Sequence, residues 1–423
     1  MSVSNIPGLL RRNPNLRALW LGQIVSQLGD WFNAIALYSL LYELTGTATS
    51  VALVIVLQLL PASFVTPFVG MVVDRFDRRK IMIAADIVRG VVILGLLLVR
   101  TPGTVWIAYA VLIVAVSATG FFEPAKSATI PTVVAREDLV TANALSTATW
   151  SVMLAVGASI GGLVAAAFGR NTTFILNSLS FFASAFFVMR VQAPARMPVA
   201  SAGGFRPFID GFRYLRANRD VASIALIKAG WSTVGGALLI LTVLGQKVFP
   251  IHGSGDAGTG VLYAARGIGA LAGSWLVTHL AMRSTHRLLT LVPVAYFLAG
   301  GFYAVIGLAP NIWVAAALVV GAHACGSVLW VAANVLLQLK SPDEFRGRVF
   351  SAELAALTIV QAASSYITGR LLDVWHFDPR HLAVACGLVL WIPGTIWAIR
   401  TARQSTRRHG DTEKNRDSFH KAF

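Results

Sequence analysis

Gly70-Met-Val-Val-Asp74-Arg75-Phe-Asp77-Arg78-Arg79-Lys80 is a charged break between two apolar runs, near residues 49–73 and 80–99. Six of its eleven residues carry charge, in a chain of 423 residues where only 13% do. Soluble domains carry about 25% charged residues, and 56% of this chain is hydrophobic. The soluble class is excluded, and the break reads as a loop between two membrane spans. A span needs about 20 apolar residues, and the apolar runs on either side repeat along the whole chain.

Spans fall near 17–42, 49–73, 80–99, 104–123, 139–168 and 172–190. A second set falls near 220–247, 258–281, 287–308, 311–338, 344–371 and 382–401. The first reads as an uncleaved signal-anchor. With twelve spans and a cytoplasmic N-terminus, 27 Lys and Arg residues fall in inside loops and tails and five outside; Arg89, Lys228 and Arg266 remain within spans. That asymmetry follows the positive-inside rule. It accounts for the net charge of +16 without nucleic acid. Both termini are expected in the cytoplasm. Cys325 and Cys386 sit inside apolar runs and suggest neither a disulfide nor a metal site.

The expected fold is an all-α membrane protein of twelve helices in two pseudo-symmetric six-helix bundles, residues 1–190 and 220–402. Between them, 191–219 reads as a cytoplasmic linker. Its end, 206–219, spaces Phe208, Phe212 and Leu215 as on an interfacial helix. The tail 403–423 is polar and expected to be disordered. The halves echo one another: Asn13-Pro-Asn precedes the first span and Asn218-Arg-Asp the seventh. Arg136-Glu-Asp-Leu and Pro342-Asp-Glu-Phe lead into the fifth and eleventh. Such repeats are common in transporters.

The Gly70–Lys80 stretch resembles the Gly-x-x-x-Asp-Arg-x-x-Arg-Arg/Lys signature of the major facilitator superfamily, in the same two-to-three loop; Asp77 stands where Gly is frequent. Phe121-Phe-Glu-Pro-Ala125, Ile130-Pro-Thr-Val-Val, Ala142-Asn-Ala-Leu145 and Gly347-Arg-Val-Phe350 resemble the branch of enterobactin exporters and macrolide efflux pumps. The resemblance covers residues 15–400 and implies a bacterial inner-membrane transporter. A gate at Gly70, Asp74, Arg75, Arg78, Arg79 and Glu123 would accompany it. Gly70 allows close helix approach. The Asp74 carboxylate can face the positive N-terminal end of span eleven, and the arginines can pair with Asp77, Glu123 or Asp74. Gly157-Ala-Ser-Ile-Gly161-Gly162 resembles an antiporter motif with Ala158 in place of Pro, and equally suits helix packing. The arginine usual in span four of proton-coupled relatives is absent from 109–120.

Charges within spans each need a reason, because one in hydrocarbon costs at least about 2.5–3.5 kcal/mol. Asp30 lies near mid-membrane with Gln23 and Gln27 on its face, which suits a group that takes up and releases a proton. Glu353, near the start of span eleven, is the second proton-coupling candidate. Asp86 and Arg89 can pair on one helix face. Lys228 and Arg266 have no acid within helical reach. They either face a cavity or pair with Asp30 or Glu353. Asn334, Gln361 and His323 are further cavity candidates.

No phosphate loop, metal-binding pattern or nucleophile motif is present. The chain therefore reads as no enzyme and needs no cofactor. The expected function is export of a small amphipathic compound (drug, macrolide or siderophore class) by proton antiport with alternating access. The expected partners are substrate, protons and lipid, and the expected state is a monomer. A lysophospholipid transporter and a non-transporting sensor on the same scaffold are the rival readings.

Overall fold

A computed structural model gives the fold and describes residues 6–59, 72, 76–192, 206–280 and 284–420. Among these the chain is helical, with one isolated bridge between Ile251 and Ser254. The first half comprises α1 (Ile6–Arg12), α2 (Pro14–Thr45), α3 (Ala48–Leu59), α4 (Arg78–Leu98, its last turn tightened), α5 (Val105–Val133), α6 (Leu139–Phe168) and α7 (Arg170–Met189). The connecting helix α8 (Arg206–Ala217) leads to α9 (Arg219–Ser232) and α10 (Ala237–Val243). Then follow α11 (Gly255–Leu280), α12 (Thr285–Ile306), α13 (Ile312–Lys340), α14 (Asp343–Asp373) and α15 (Pro379–His420). Eight stretches among the described residues are long and apolar enough to cross a membrane. The long helices α2, α6 and α14, together with the shorter apolar α3, bring the bundle to twelve.

Helix starts follow the capping chemistry of the loops. Asn13 accepts from the Leu16 N–H at the start of α2 and donates its amide to the Val133 carbonyl at 2.6 Å, tying α2 to the end of α5. Asp77 accepts from the N–H groups of Arg79 and Lys80, which starts α4. Asn311 caps α13 in the same way. Each cap satisfies helix-end N–H groups that have no partner inside the helix.

Three outcomes differ from the expectations. Helix α5 continues through Pro124 and Pro131 to Val133, ten residues beyond the expected end of span four. Membrane helices tolerate proline because neighbours satisfy the freed backbone groups. The seventh span is broken. Between α9 and α10 the chain turns at 233–236, where Gly235 and Gly236 admit α14 at close range. A Cβ at Gly236 would lie 1.9 Å from the Thr368 hydroxyl. The Ser364 hydroxyl donates to the Thr233 carbonyl at 2.6 Å and accepts from the Gly236 N–H at 3.2 Å, which stitches the break. Finally, α15 runs to His420, so the tail expected to be disordered continues the last helix.

Helix α8 rests on α14: Tyr214 stacks on Phe345 at 4.7 Å, and Asp210 approaches Arg348 at 3.7 Å. Its Ile209 and Phe212 are exposed. The residues 193–205 of the expected linker lie outside the described residues.

Candidate functional site

The bundle has two faces: a near face, where α2 and α9 begin, and a far face, where α2 ends and α11 begins. Most named bonds between the halves join residues at the far face. Asp373, the last residue of α14, accepts from the N–H groups of Ala48 and Thr49 at 2.7 Å each, and so caps α3 of the other half. Arg170 reaches Glu43 of its own half at 2.6 Å and Asp256 of the other at 3.1 Å. Gln246 donates to both Ser39 and Asp256. Gly162 of α6 lies so close to α11 that a Cβ there would be 2.8 Å from the Gly260 Cα. Toward mid-depth, Tyr38 lies against Tyr263 and Arg266 over Trp31.

Below this seal, α2 presents Asp30. Its neighbours on the helix are packed: Gly29 lies against Asn177 and Ser180 of α7, and Gly157 and Gly161 of α6 sit against Trp31 and Phe32. Asp30 itself is exposed. The charges that reach it are those of Arg89, Asp86 and Glu123, and Asp86 and Arg89 are buried. Gln27, three residues back, is half-buried, whereas Gln23 is buried and donates to the Ser146 carbonyl of α6 at 2.9 Å.

The other charges within spans fall into pairs. Asp86 and Arg89 pair within α4, and the guanidinium lies 4.6 Å from the centre of the Phe122 ring and 4.3 Å from that of Phe181. Lys228 of α9 meets Glu353 of α14 at 3.1 Å and donates to Asn334 of α13 at 2.7 Å, with the Trp330 ring 4.4 Å away. Gln361 packs beside Gly235 at the break of the seventh span. His323 and Tyr303 share a hydrogen bond of 2.9 Å. Arg266 has no counter-ion among the described residues.

At the near face, Gly70, Asp74 and Arg75 lie outside the described residues. The expected pairing of Arg78 and Arg79 with Glu123 is not made. Arg78 donates to the Ala128 carbonyl at 2.7 Å, and Arg79 to Met189 at the end of α7. The final carbonyls of a helix are negative and lack intrahelical partners, so Met189 is a natural acceptor. Glu123 pairs with Lys126 at 2.7 Å, one turn along the same extended helix. Sequence reasoning passed over Asp373 and Asp256. Their only signal was an acid next to a span end.

The comparisons agree with this architecture. Residues 10–409 match the family described as transmembrane secretion effector. The candidate bacilysin exporter BacE of Bacillus subtilis (strain 168) is 28% identical, with 89% of this chain and 93% of that protein aligned. The enterobactin exporter EntS of Salmonella typhi is 27% identical, with 81% of each aligned. Among solved structures, a bacterial homolog of the human lysosomal transporter Spinster, in an inward-facing conformation, superposes with a TM-score of 0.71 at 14% identity, covering 92% of this chain and 96% of that one. The POT family transporter PepTSo gives a TM-score of 0.74 at 11% identity, covering 93% and 98%. Two helical bundles joined at one face, and a family match over nearly the whole length, lead to one assignment: the chain belongs to the transmembrane secretion effector family of major facilitator superfamily transporters.

Proposed function

We propose that the protein exports a small amphipathic compound, of the drug, macrolide or siderophore class, across the bacterial inner membrane in exchange for protons. The names of its relatives, exporters of bacilysin and enterobactin, support the direction and the class. The basic near face belongs in the cytoplasm by the positive-inside rule, with both termini there. The far face then meets the outside, and the bonds between the halves there would close the path outward. The protein works as a monomer, since one chain carries both halves of the site.

One observation carries the alternating-access reading. Asp373, at the end of α14, caps the start of α3 and closes the far face. The matching carboxylate for the start of α14 is Asp74, which the sequence puts at the end of the second span. A carboxylate facing a helix N-terminus is favourable. Two such locks at opposite ends of one helix pair would be made in alternation, each holding one access state. Arg75, Arg78 and Arg79 flank the near lock.

Asp30 carries the proton in this mechanism, and Glu353 is held by Lys228. Gln27 and Asp30 on one half, and Asn334 and Gln361 on the other, border the path. The test is efflux from vesicles with an imposed pH gradient. Asp30→Asn keeps the shape of the side chain but cannot exchange a proton, so gradient-driven efflux should fall to background. Undiminished efflux by this variant would remove Asp30 from the coupling. If the unmutated protein ignores the gradient, the antiport reading fails.

A further inference from the structure

Arg266 has a position unlike that of any other charge on the described spans. On α11, Ile268, Ala272 and Trp275 are exposed and mark the lipid-facing stripe. At about 100° per residue, Arg266 points about 160° away from Ile268, into the molecule. It stands eleven residues after Gly255, about 16 Å below the far face and so near the middle of the hydrocarbon layer. It is half-buried, so it is reachable from within. The Trp31 ring of the opposite half and the Tyr263 ring of its own helix each lie 5.9 Å from the guanidinium carbon. None of its five N–H groups bonds to a described residue. The Asp86–Arg89 and Lys228–Glu353 pairs neutralise themselves.

A guanidinium without a counter-ion at this depth is costly. It is held here by ring faces, which attract cations weakly, and its planar donors match an acidic group. From this placement we infer that the cavity takes an organic anion: Arg266 binds its carboxylate or phosphate oxygens, and Trp31 covers its flat or apolar body. This deepens the exporter reading and rests on it. Because Trp31 and Arg266 come from different halves, the anion bridges the two halves near mid-membrane.

The test uses purified protein in nanodiscs and two fluorescent probes, dansyl-alanine and dansyl-alaninamide. They differ only in whether the acid is free. The unmutated protein should bind the acid about ten-fold more tightly than the amide. Arg266→Gln should reduce that ratio to below about two-fold, and Arg266→Lys should keep part of it. Equal binding of acid and amide, or no binding of the acid, by the unmutated protein overturns the inference whatever the variants do. Competition by lysophosphatidate that Arg266→Gln abolishes supports the anion site with a lipid as its source. Failure of lysophosphatidate to displace the acid supports a water-soluble source. Gradient-driven efflux of the acid is measured separately. An acid preference without efflux keeps the site and removes the exporter reading, whereas efflux of both probes alike does the reverse.

Discussion

Gln23 and Lys228 occupy the same place in the two halves, each ten residues after the asparagine that immediately precedes its helix. Both are buried, and both tie the first helix of a half to the fifth. Gln23 does so with a neutral hydrogen bond to the Ser146 carbonyl at 2.9 Å. Lys228 does so with an ion pair to Glu353, and the Asn334 oxygen completes its shell. The same architectural contact is thus neutral in one half and ionic in the other. Where the first half is neutral at this contact, it leaves an acid open nearby, Asp30. The second half pairs its acid and leaves a cation open instead, Arg266. Among the described residues buried within the spans, each half thus pairs an acid with a base, Asp86 with Arg89 and Glu353 with Lys228, and leaves one charge open, of opposite sign in the two halves. The Asp86–Arg89 pair closes within α4, whereas Lys228–Glu353 joins α9 to α14.

This contrast predicts its largest effect at Glu353. Glu353→Ala leaves Lys228 buried without a counter-charge, which typically costs about 3–5 kcal/mol. The folded yield in the membrane and the thermal midpoint in detergent should both fall sharply. Replacing the pair together, Lys228→Met with Glu353→Leu, should restore most of the loss, because an apolar pair of similar volume is often neutral. If Glu353→Ala is as stable as the unmutated protein, the ionic contact holds nothing and the contrast between the halves has no energetic content.

A smaller effect is expected at the far lock. Asp373→Ala removes a carboxylate that accepts two N–H groups across the halves. Losing a helix cap costs about 0.5–2 kcal/mol, here taken from the form closed at the far face alone. The population should shift toward opening of that face by roughly 2- to 30-fold. The readout is a spin-label distance distribution across the far face, for instance between the exposed positions Asn171 and Phe377. An unchanged distribution would mean that the Arg170–Asp256 contact closes this face without Asp373.

Much of the architecture was legible in the sequence because lipid allows few solutions. Apolar runs, basic loops and the paired Asn13 and Asn218 mark the spans and their duplication, and the helices begin close to where these signals lie. The break at 233–236 was missed. Hydropathy does not register a turn made of apolar and small residues, although Gly235-Gly236 was visible as a weak point. The extension of α5 was missed because Pro124 and Lys126 resemble a loop in one dimension. Of the charges, Asp86 and Arg89 meet as their spacing suggests. Lys228 and Glu353 come from helices more than a hundred residues apart, and no single-helix pattern states that they meet. Asp373 was illegible for the same reason: its meaning comes from the N–H groups of another half.

The smallest effect is the neutral counterpart of the first. Gln23→Leu removes the amide that binds the Ser146 carbonyl and replaces it with an apolar side chain of similar size. The Ser146 carbonyl lies within α6 and keeps its helical hydrogen bond, so no buried group is stranded. The cost is then the net worth of one neutral hydrogen bond, about 0.5–1.5 kcal/mol, and leucine recovers part of that through burial. The thermal midpoint should therefore move by a few degrees at most, where Glu353→Ala moves it far more. Transport is the sharper readout. If the α2–α6 contact only packs the first half, efflux by Gln23→Leu should stay within about two-fold of the unmutated protein once corrected for the amount in the membrane. If Gln23 instead orients the face that carries Asp30, efflux should fall well beyond that correction while the thermal midpoint hardly moves. Such a loss would show the neutral contact to be the functional one of the two, with the ionic contact serving as its rigid counterpart.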